Sequence, residues 1–147
     1  MNSAHVPCYS PHRGIITFNI KKGENTIRGY YKKLSVYQDA LNLVDMSYAM
    51  IQNFPKWEWN NLSDQLRRAS TSIALNIAEG SSRQSTRDYI KFLQIALGSV
   101  NEIETISEIA RRQKLISEMM YQKFIRHLSG TRWKLIRLIK SLQINER

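Results

Sequence analysis

The sequence predicts an all-α protein, an up-down-up-down four-helix bundle. Three observations carry that expectation. Apolar residues step by three and four through four successive stretches between Tyr31 and the C-terminus, which is the period of amphipathic helices. Helix-stopping and helix-starting residues divide the stretches, namely Pro55, Gly80, Ser85 and Ser117. Nothing between them alternates polar and apolar residues in the period of a strand.

Residues 1–30 stand apart from that pattern and form one unit of the expected organisation, with the bundle at 31–147. They hold two of the three prolines and three of the six glycines, with Arg13, Lys21, Lys22 and Arg28 against Glu24 alone. Ile15 to Ile20 reads as a short strand followed by a turn at Lys22-Gly23-Glu24-Asn25. A lone strand has no partner, so the segment reads as a mobile or docking arm.

The first helix has its seam at Leu34, Tyr37, Leu41, Val44, Tyr48 and Ile51, and Pro55 stops it because proline lacks an N–H and clashes with the preceding turn. The loop Phe54-Pro55-Lys56-Trp57-Glu58-Trp59-Asn60 follows. Asn61 is the expected cap of the second helix, with Asp64 near its positive end. Its face is Leu62, Leu66, Ala69, Ile73 and Ile77, and Ala69, Ser70, Ser72, Ala74 and Ala78 are small enough to admit a close neighbour. Gly80 is expected to end it in the left-handed conformation.

Ser85-Thr86-Arg87-Asp88 has the spacing of a capping box, with Asp in place of Glu or Gln. The third helix then runs through Tyr89, Phe92, Leu93, Ala96, Val100, Ile103, Ile106 and Ala110, a length of ~40 Å at the α-helical rise. Ser117 caps the fourth, whose core face is Phe124, Leu128, Leu135, Ile139 and Leu142, with Met120 and Trp133 beside it. Val36, Leu43, Met50, Leu75, Ile95, Leu97 and Ile109 lie off these seams. A four-helix monomer needs one apolar stripe per helix, so the surplus points to a second buried face and to self-association.

Length and composition bound the function. At 147 residues the chain suits one domain, and 42% hydrophobic with 23% charged residues is the balance of a globular protein rather than a disordered one. A single cysteine rules out an internal disulfide framework and fits the cytoplasm. No apolar run reaches the length of a membrane span, no secretory leader is evident, and all four helices look committed to a core rather than to a lipid surface. The excess of 22 Lys+Arg over 12 Asp+Glu, a net +10, attracts polyanions. No nucleophile–base pair, phosphate-cradling glycine loop, His-Glu-x-x-His or Glu-x-x-His pair occurs, so neither enzymatic activity nor a cofactor is expected. His5, Cys8 and His12 are loosely spaced like metal ligands, but structural zinc needs four and no fourth is evident. His127 reads as a surface or interface residue.

The central stretches Asp64-Gln65-Leu66-Arg67-Arg68-Ala69-Ser70, Ser72-Ile73-Ala74-Leu75-Asn76-Ile77-Ala78-Glu79-Gly80, Phe92-Leu93-Gln94-Ile95-Ala96-Leu97-Gly98-Ser99 and Glu102-Ile103-Glu104-Thr105 resemble one family. It is the four-helix-bundle proteins encoded by intervening sequences in bacterial large-subunit ribosomal RNA genes, similar in turn to the accessory variability determinant of diversity-generating retroelements. The likeness runs from about Tyr31 to Leu142 and is most specific at Ala74 to Gly80. It implies a helical bundle assembling as a homopentameric ring without catalytic activity. For the retroelement branch it implies a basic ring that binds a reverse transcriptase and its template RNA. The motif sits closer to the intervening-sequence branch, and the charge leans toward the retroelement one.

Candidate binding residues follow from charge and spacing. The fourth helix carries Lys123, Arg126, Arg132, Lys134, Arg137 and Lys140 against Glu118 alone. Lys123, Arg126, Lys134 and Arg137 share one face by spacing, either a phosphate-tracking stripe or an ordinary solvated face. Arg67 and Arg68, with Arg83 and Arg87 beside the turn between the second and third helices, are further anion contacts; alternatively Arg67 or Arg68 pairs with Glu79, Glu102 or Glu104. Asn76 reads as a buried amide fixing helix register. Trp57 and Trp59 either grip a protein partner, stack bases, or plug the end of the bundle. The expected function is that of a basic oligomer binding nucleic acid, RNA ahead of DNA, and holding a partner such as a reverse transcriptase. The alternative is a structural oligomer of the intervening-sequence family with no nucleic-acid role.

Overall fold

The structure, a computed structural model, describes residues 30–145. The strand and turn expected at Ile15 to Asn25 and the His5, Cys8 and His12 set lie outside the described residues. After a 3-10 turn at Tyr30–Lys33 come α1 (Ser35–Ile51), α2 (Leu62–Gly80), α3 (Thr86–Arg112) and α4 (Glu118–Asn145), with a second 3-10 turn at Lys56–Glu58 in the α1–α2 loop. No strand occurs among the described residues. Each helix packs on its neighbour in sequence, and α4 closes onto α1. Their inner faces share one core that includes Leu43, Leu66, Ile73, Leu93, Ile103 and Leu135.

The faces of α2 and α3 are those the periodicity predicts, from Leu62 to Ile77 and from Tyr89 to Ala110. That of α1 is so only at its ends. Its buried residues are Val36, Ala40, Leu43, Ser47, Met50 and Ile51; of the expected seam, Leu34 and Ile51 are buried and Tyr37 packs against the core, while Leu41 and Tyr48 are exposed. Both rows step by three and four. The true one contains Ala40 and Ser47, both fully buried, because small side chains are what close helix packing admits. Ser47 meets its hydrogen-bonding need by donating to its own Leu43 carbonyl at 2.7 Å. Three of the residues that suggested a second buried face, Val36, Leu43 and Met50, are therefore core, whereas Leu75, Ile95 and Ile109 are exposed.

The helix ends hold further differences. α1 stops at Ile51, short of Pro55, in turns donated by Asn53 N to Met50 O and Phe54 N to Ile51 O. These tuck Phe54 into the core. The residue before a proline is excluded from helical geometry, so the helix has to end before Phe54. Asn61 stands at the N-cap of α2, but its side chain accepts no backbone hydrogen bond. The cap is Glu58, only 6% exposed, whose carboxylate accepts from Leu62 N at 3.3 Å and from Asn61 Nδ2 at 2.9 Å. An anion there meets the positive helix end. At α3 and α4 the expected caps are present: Ser85 Oγ accepts from Asp88 N and Ser117 Oγ from Met120 N.

Gly80 is the last residue of α2, followed by a cap at Ser81 with right-handed helical backbone. Its need is steric rather than conformational, since a Cβ there would lie 2.7 Å from Phe92 Cβ and from Tyr89 Cδ2 on α3. Among the described residues the left-handed one is instead Lys114, at φ 57, where α3 closes with Lys114 N donating to Arg111 O and Leu115 N to Ala110 O. Asn76 binds within its own helix, to Ser72 O and Ser72 Oγ. The polar tie between α2 and α3 is the hydroxyl pair Ser99 to Ser72 at 2.8 Å.

Candidate nucleic-acid interface

The basic residues of α4 divide by where the helix turns them. Phe124, Leu128, Thr131, Leu135, Leu138 and Leu142 face the core, and the flanks beside that face come within reach of neighbouring helices. On one flank Arg132 donates to Glu104 of α3 at 2.6 Å and to Asn101 at 3.3 Å. On the other, Lys134 pairs with Asp39 of α1 at 2.5 Å. These two candidates are therefore paired inside the chain, and Lys134 leaves the face it was expected to share with Lys123, Arg126 and Arg137. Each pair is partly exposed and contributes roughly 0–1 kcal/mol. The face that looks outward is set by the buried row of α4, and the two pairs lie on either side of that row.

The outward ridge carries Met119, Lys123, Arg126, Trp133, Arg137, Lys140 and Ile144, all exposed. Lys123, Arg126 and Lys140 have no ion pair among the described residues, and the one acid of α4, Glu118, is engaged by Arg111 at 3.5 Å and by Gln122 at 2.7 Å. Trp133 was expected beside the core. It is 57% exposed, and the Arg137 guanidinium lies 4.5 Å from its ring centroid. Such a contact is worth roughly 0.5–1 kcal/mol at an exposed site, and it flattens a cation onto an aromatic plate at the centre of the ridge.

The remaining candidates do not join this ridge. Arg67 and Arg68 both pair with Asp64, at 3.8 and 2.6 Å, rather than with Glu79, Glu102 or Glu104, and Arg67 also donates to the Trp59 carbonyl at 3.2 Å. Arg83 pairs with Glu79 and stacks on Phe92 at 4.4 Å. Arg87 is exposed at the start of α3. Trp57 and Trp59 plug nothing: they are 72% and 50% exposed, and Phe54 fills the core beneath the loop instead.

A compact ion cluster missed in the sequence sits where α3 meets α4. Glu108 accepts from Arg111 at 2.8 and 2.9 Å and from Arg112 at 2.6 Å. These hydrogen bonds, that of Arg111 first, bring its carboxyl down to about 2. Arg111 also lies 5.1 Å from the Tyr121 ring centroid. The i, i+3 and i, i+4 spacing of Glu108 to Arg111 and Arg112 is the signal that would have found it. His127 of α4 is half-buried, with a buried Nε2 that has no partner.

The profile of the 23S rRNA-intervening sequence protein family matches residues 32–137. Among solved structures, the chain is similar to a protein of unknown function from the S23 ribosomal protein family of Bacteroides thetaiotaomicron. The two are 28% identical with a TM-score of 0.64, over 71% of this chain and 98% of that one. No curated protein matches the chain.

Proposed function

The chain belongs to the 23S rRNA-intervening sequence protein family, and from that premise we propose that it is a non-enzymatic, self-associating bundle that binds RNA, ahead of DNA, on the outer ridge of α4. The observation that carries this reading is the segregation of charge on α4. The flanking cations Arg132 and Lys134 are spent on neighbouring helices, whereas Lys123, Arg126, Arg137 and Lys140 are exposed on the outward face, where Lys123, Arg126 and Lys140 have no ion pair among the described residues. A polyanion meeting that face releases counterions from its phosphates, a sequence-independent source of affinity. No base-reading motif accompanies it, so selectivity falls to shape or to a partner.

Self-association, as an up-down-up-down bundle in a homopentameric ring, is supported by apolar side chains left outside the core. Leu75 is 64% exposed, and Ile95 and Ile109 on α3 are exposed as well. In a ring the α4 ridge repeats around the axis and its field adds. The narrower reading, an accessory subunit of a retroelement reverse transcriptase, takes the exposed Trp57 and Trp59 as its docking residues, since large aromatics anchor protein interfaces.

Filter binding of RNA across a salt series tests the reading. Binding at low salt that weakens steeply as salt rises is expected. Replacing Lys123, Arg126, Arg137 and Lys140 together by alanine is expected to abolish it, with the light-scattering mass unchanged at several times the 17.2 kDa chain. Absence of binding at low salt overturns it and leaves a structural oligomer.

A further inference from the structure

The centre of the α4 ridge is not shaped like a plain phosphate track. Trp133 stands among Arg126, Arg137 and Lys140 in the middle of the ridge, with more than half of its surface open. Arg126 and Lys140 each lie seven residues from it, two turns or about 10 Å along the helix. The Arg137 guanidinium lies over the ring. The turn before Trp133 is almost bare: Ser129 is small, and a Cβ built on Gly130 would meet nothing within 4 Å. A glycine in mid-helix weakens the helix, and no packing inside the chain requires this one.

Resting on the proposed function, we infer that this ridge takes single-stranded nucleic acid, with an unpaired base stacked on Trp133 and the flanking phosphates held by Arg126, Arg137 and Lys140. A duplex offers phosphates and groove edges, but its bases are closed to an indole because each is already stacked on its neighbours. An unpaired base has a free π face, and an aromatic plate between cations is how strands are held without regard to sequence. The bare turn at Ser129 and Gly130 leaves room for the base beside the ring.

The test uses the full chain with three probes of equal length, an oligouridylate, an oligothymidylate and a blunt RNA duplex, read by fluorescence anisotropy. Stacking on an aromatic contributes about 5- to 150-fold per base. Trp133→Leu is therefore expected to weaken strand binding about tenfold or more while leaving duplex binding unchanged, and Trp133→Phe to retain most of the strand affinity. Gly130→Gln adds uncharged bulk beside the ring and favours the helix, so it is expected to weaken strand binding in a fold at least as stable. Binding of both strands assigns a site for any single strand, and binding of the oligouridylate alone assigns RNA.

Equal loss on strand and duplex, or no loss with Trp133→Leu, overturns the stacking role. So does a fall in light-scattering mass, which assigns Trp133 to contact between copies of the chain. If stacking fails while the four-cation variant still loses all three probes, the phosphate reading survives without it. If the unaltered chain binds none of them, both fall together.

Discussion

The same substitution at two glycines should move stability in opposite directions. Gly80 closes α2 where α3 passes nearest, and an added methyl would lie 2.7 Å from Phe92 Cβ and Tyr89 Cδ2 and 3.1 Å from Tyr89 Cε2. Carbon atoms prefer about 3.5–4.0 Å. Phe92 Cβ is bonded to the α3 backbone and Tyr89 is a buried ring, so neither yields without moving α3. Overpacking of this kind costs about 1–3 kcal/mol. The gain in helix propensity returns less than its full ~1 kcal/mol, because the position is helix-terminal. At Gly130 the methyl meets nothing within 4 Å, so the propensity gain of roughly 0.5–1 kcal/mol stands alone. Gly80→Ala is thus expected to destabilise by about 1–2 kcal/mol and Gly130→Ala to stabilise. The assay is urea unfolding followed by circular dichroism at one fixed protomer concentration, since association itself stabilises. The midpoints should move apart with the slopes unchanged. Gly80→Ala shifting the midpoint upward, as Gly130→Ala does, would refute the steric account of the α2–α3 contact.

Two further predictions concern the α3–α4 connection. Lys114 carries a left-handed backbone at φ 57, a conformation costing roughly 1–2 kcal/mol outside glycine, so Lys114→Gly is expected to raise the urea midpoint by an amount worth about 1 kcal/mol. For Glu108, the folded carboxyl titrates at about 2 against an ordinary 4.5. A depressed carboxylate contributes stability that is present above its unfolded value and lost as pH falls from there through the folded one. The side-chain carboxyl carbon followed by NMR should therefore still be ionised at about pH 3, and a midpoint at the ordinary value would break the assignment of the Arg111 and Arg112 hydrogen bonds.

What could be read from the sequence depended on how local its cause is. The four helices, the faces of α2 and α3, and the caps at Ser85 and Ser117 rest on contacts within a few residues, and periodicity with cap chemistry exposes those. The expected seam of α1 holds at Leu34 and Ile51 and fails between them, where two rows of equal period compete. The larger residues Leu41 and Tyr48 outweigh Ala40 and Ser47 in a hydrophobicity count, although small size is what the packing selects. Glu58 caps α2 from four residues before Leu62, across a turn that bends back on itself, and only the folded turn brings it there. The cap position does hold Asn61, but its side chain serves Glu58 instead of the backbone.

The candidate site shows the same division more sharply. A tally along α4 gives six cations and one acid, and it treats all six alike. The partners that separate them, Asp39 and Glu104, lie on α1 and α3, far away in the chain. Helix geometry explains the sorting. A side chain on the flank of the core face reaches an acid on the next helix, whereas Lys123, Arg126 and Lys140 on the ridge have no ion pair among the described residues. This makes the salt dependence of binding a count of geometry rather than of composition. For a single strand the slope of log affinity against log salt is about −0.7 per phosphate neutralised. Four ridge cations therefore give a slope of about −3 and all six would give about −4. The two values lie close, so variants decide between them. Arg132→Gln with Lys134→Gln should leave the slope unchanged, while Arg126→Gln with Lys140→Gln should reduce its magnitude by about 1.4. If the flank pair reduces the slope as much as the ridge pair, then Asp39 and Glu104 give up their cations to phosphate, and the outward ridge is not the binding surface as drawn.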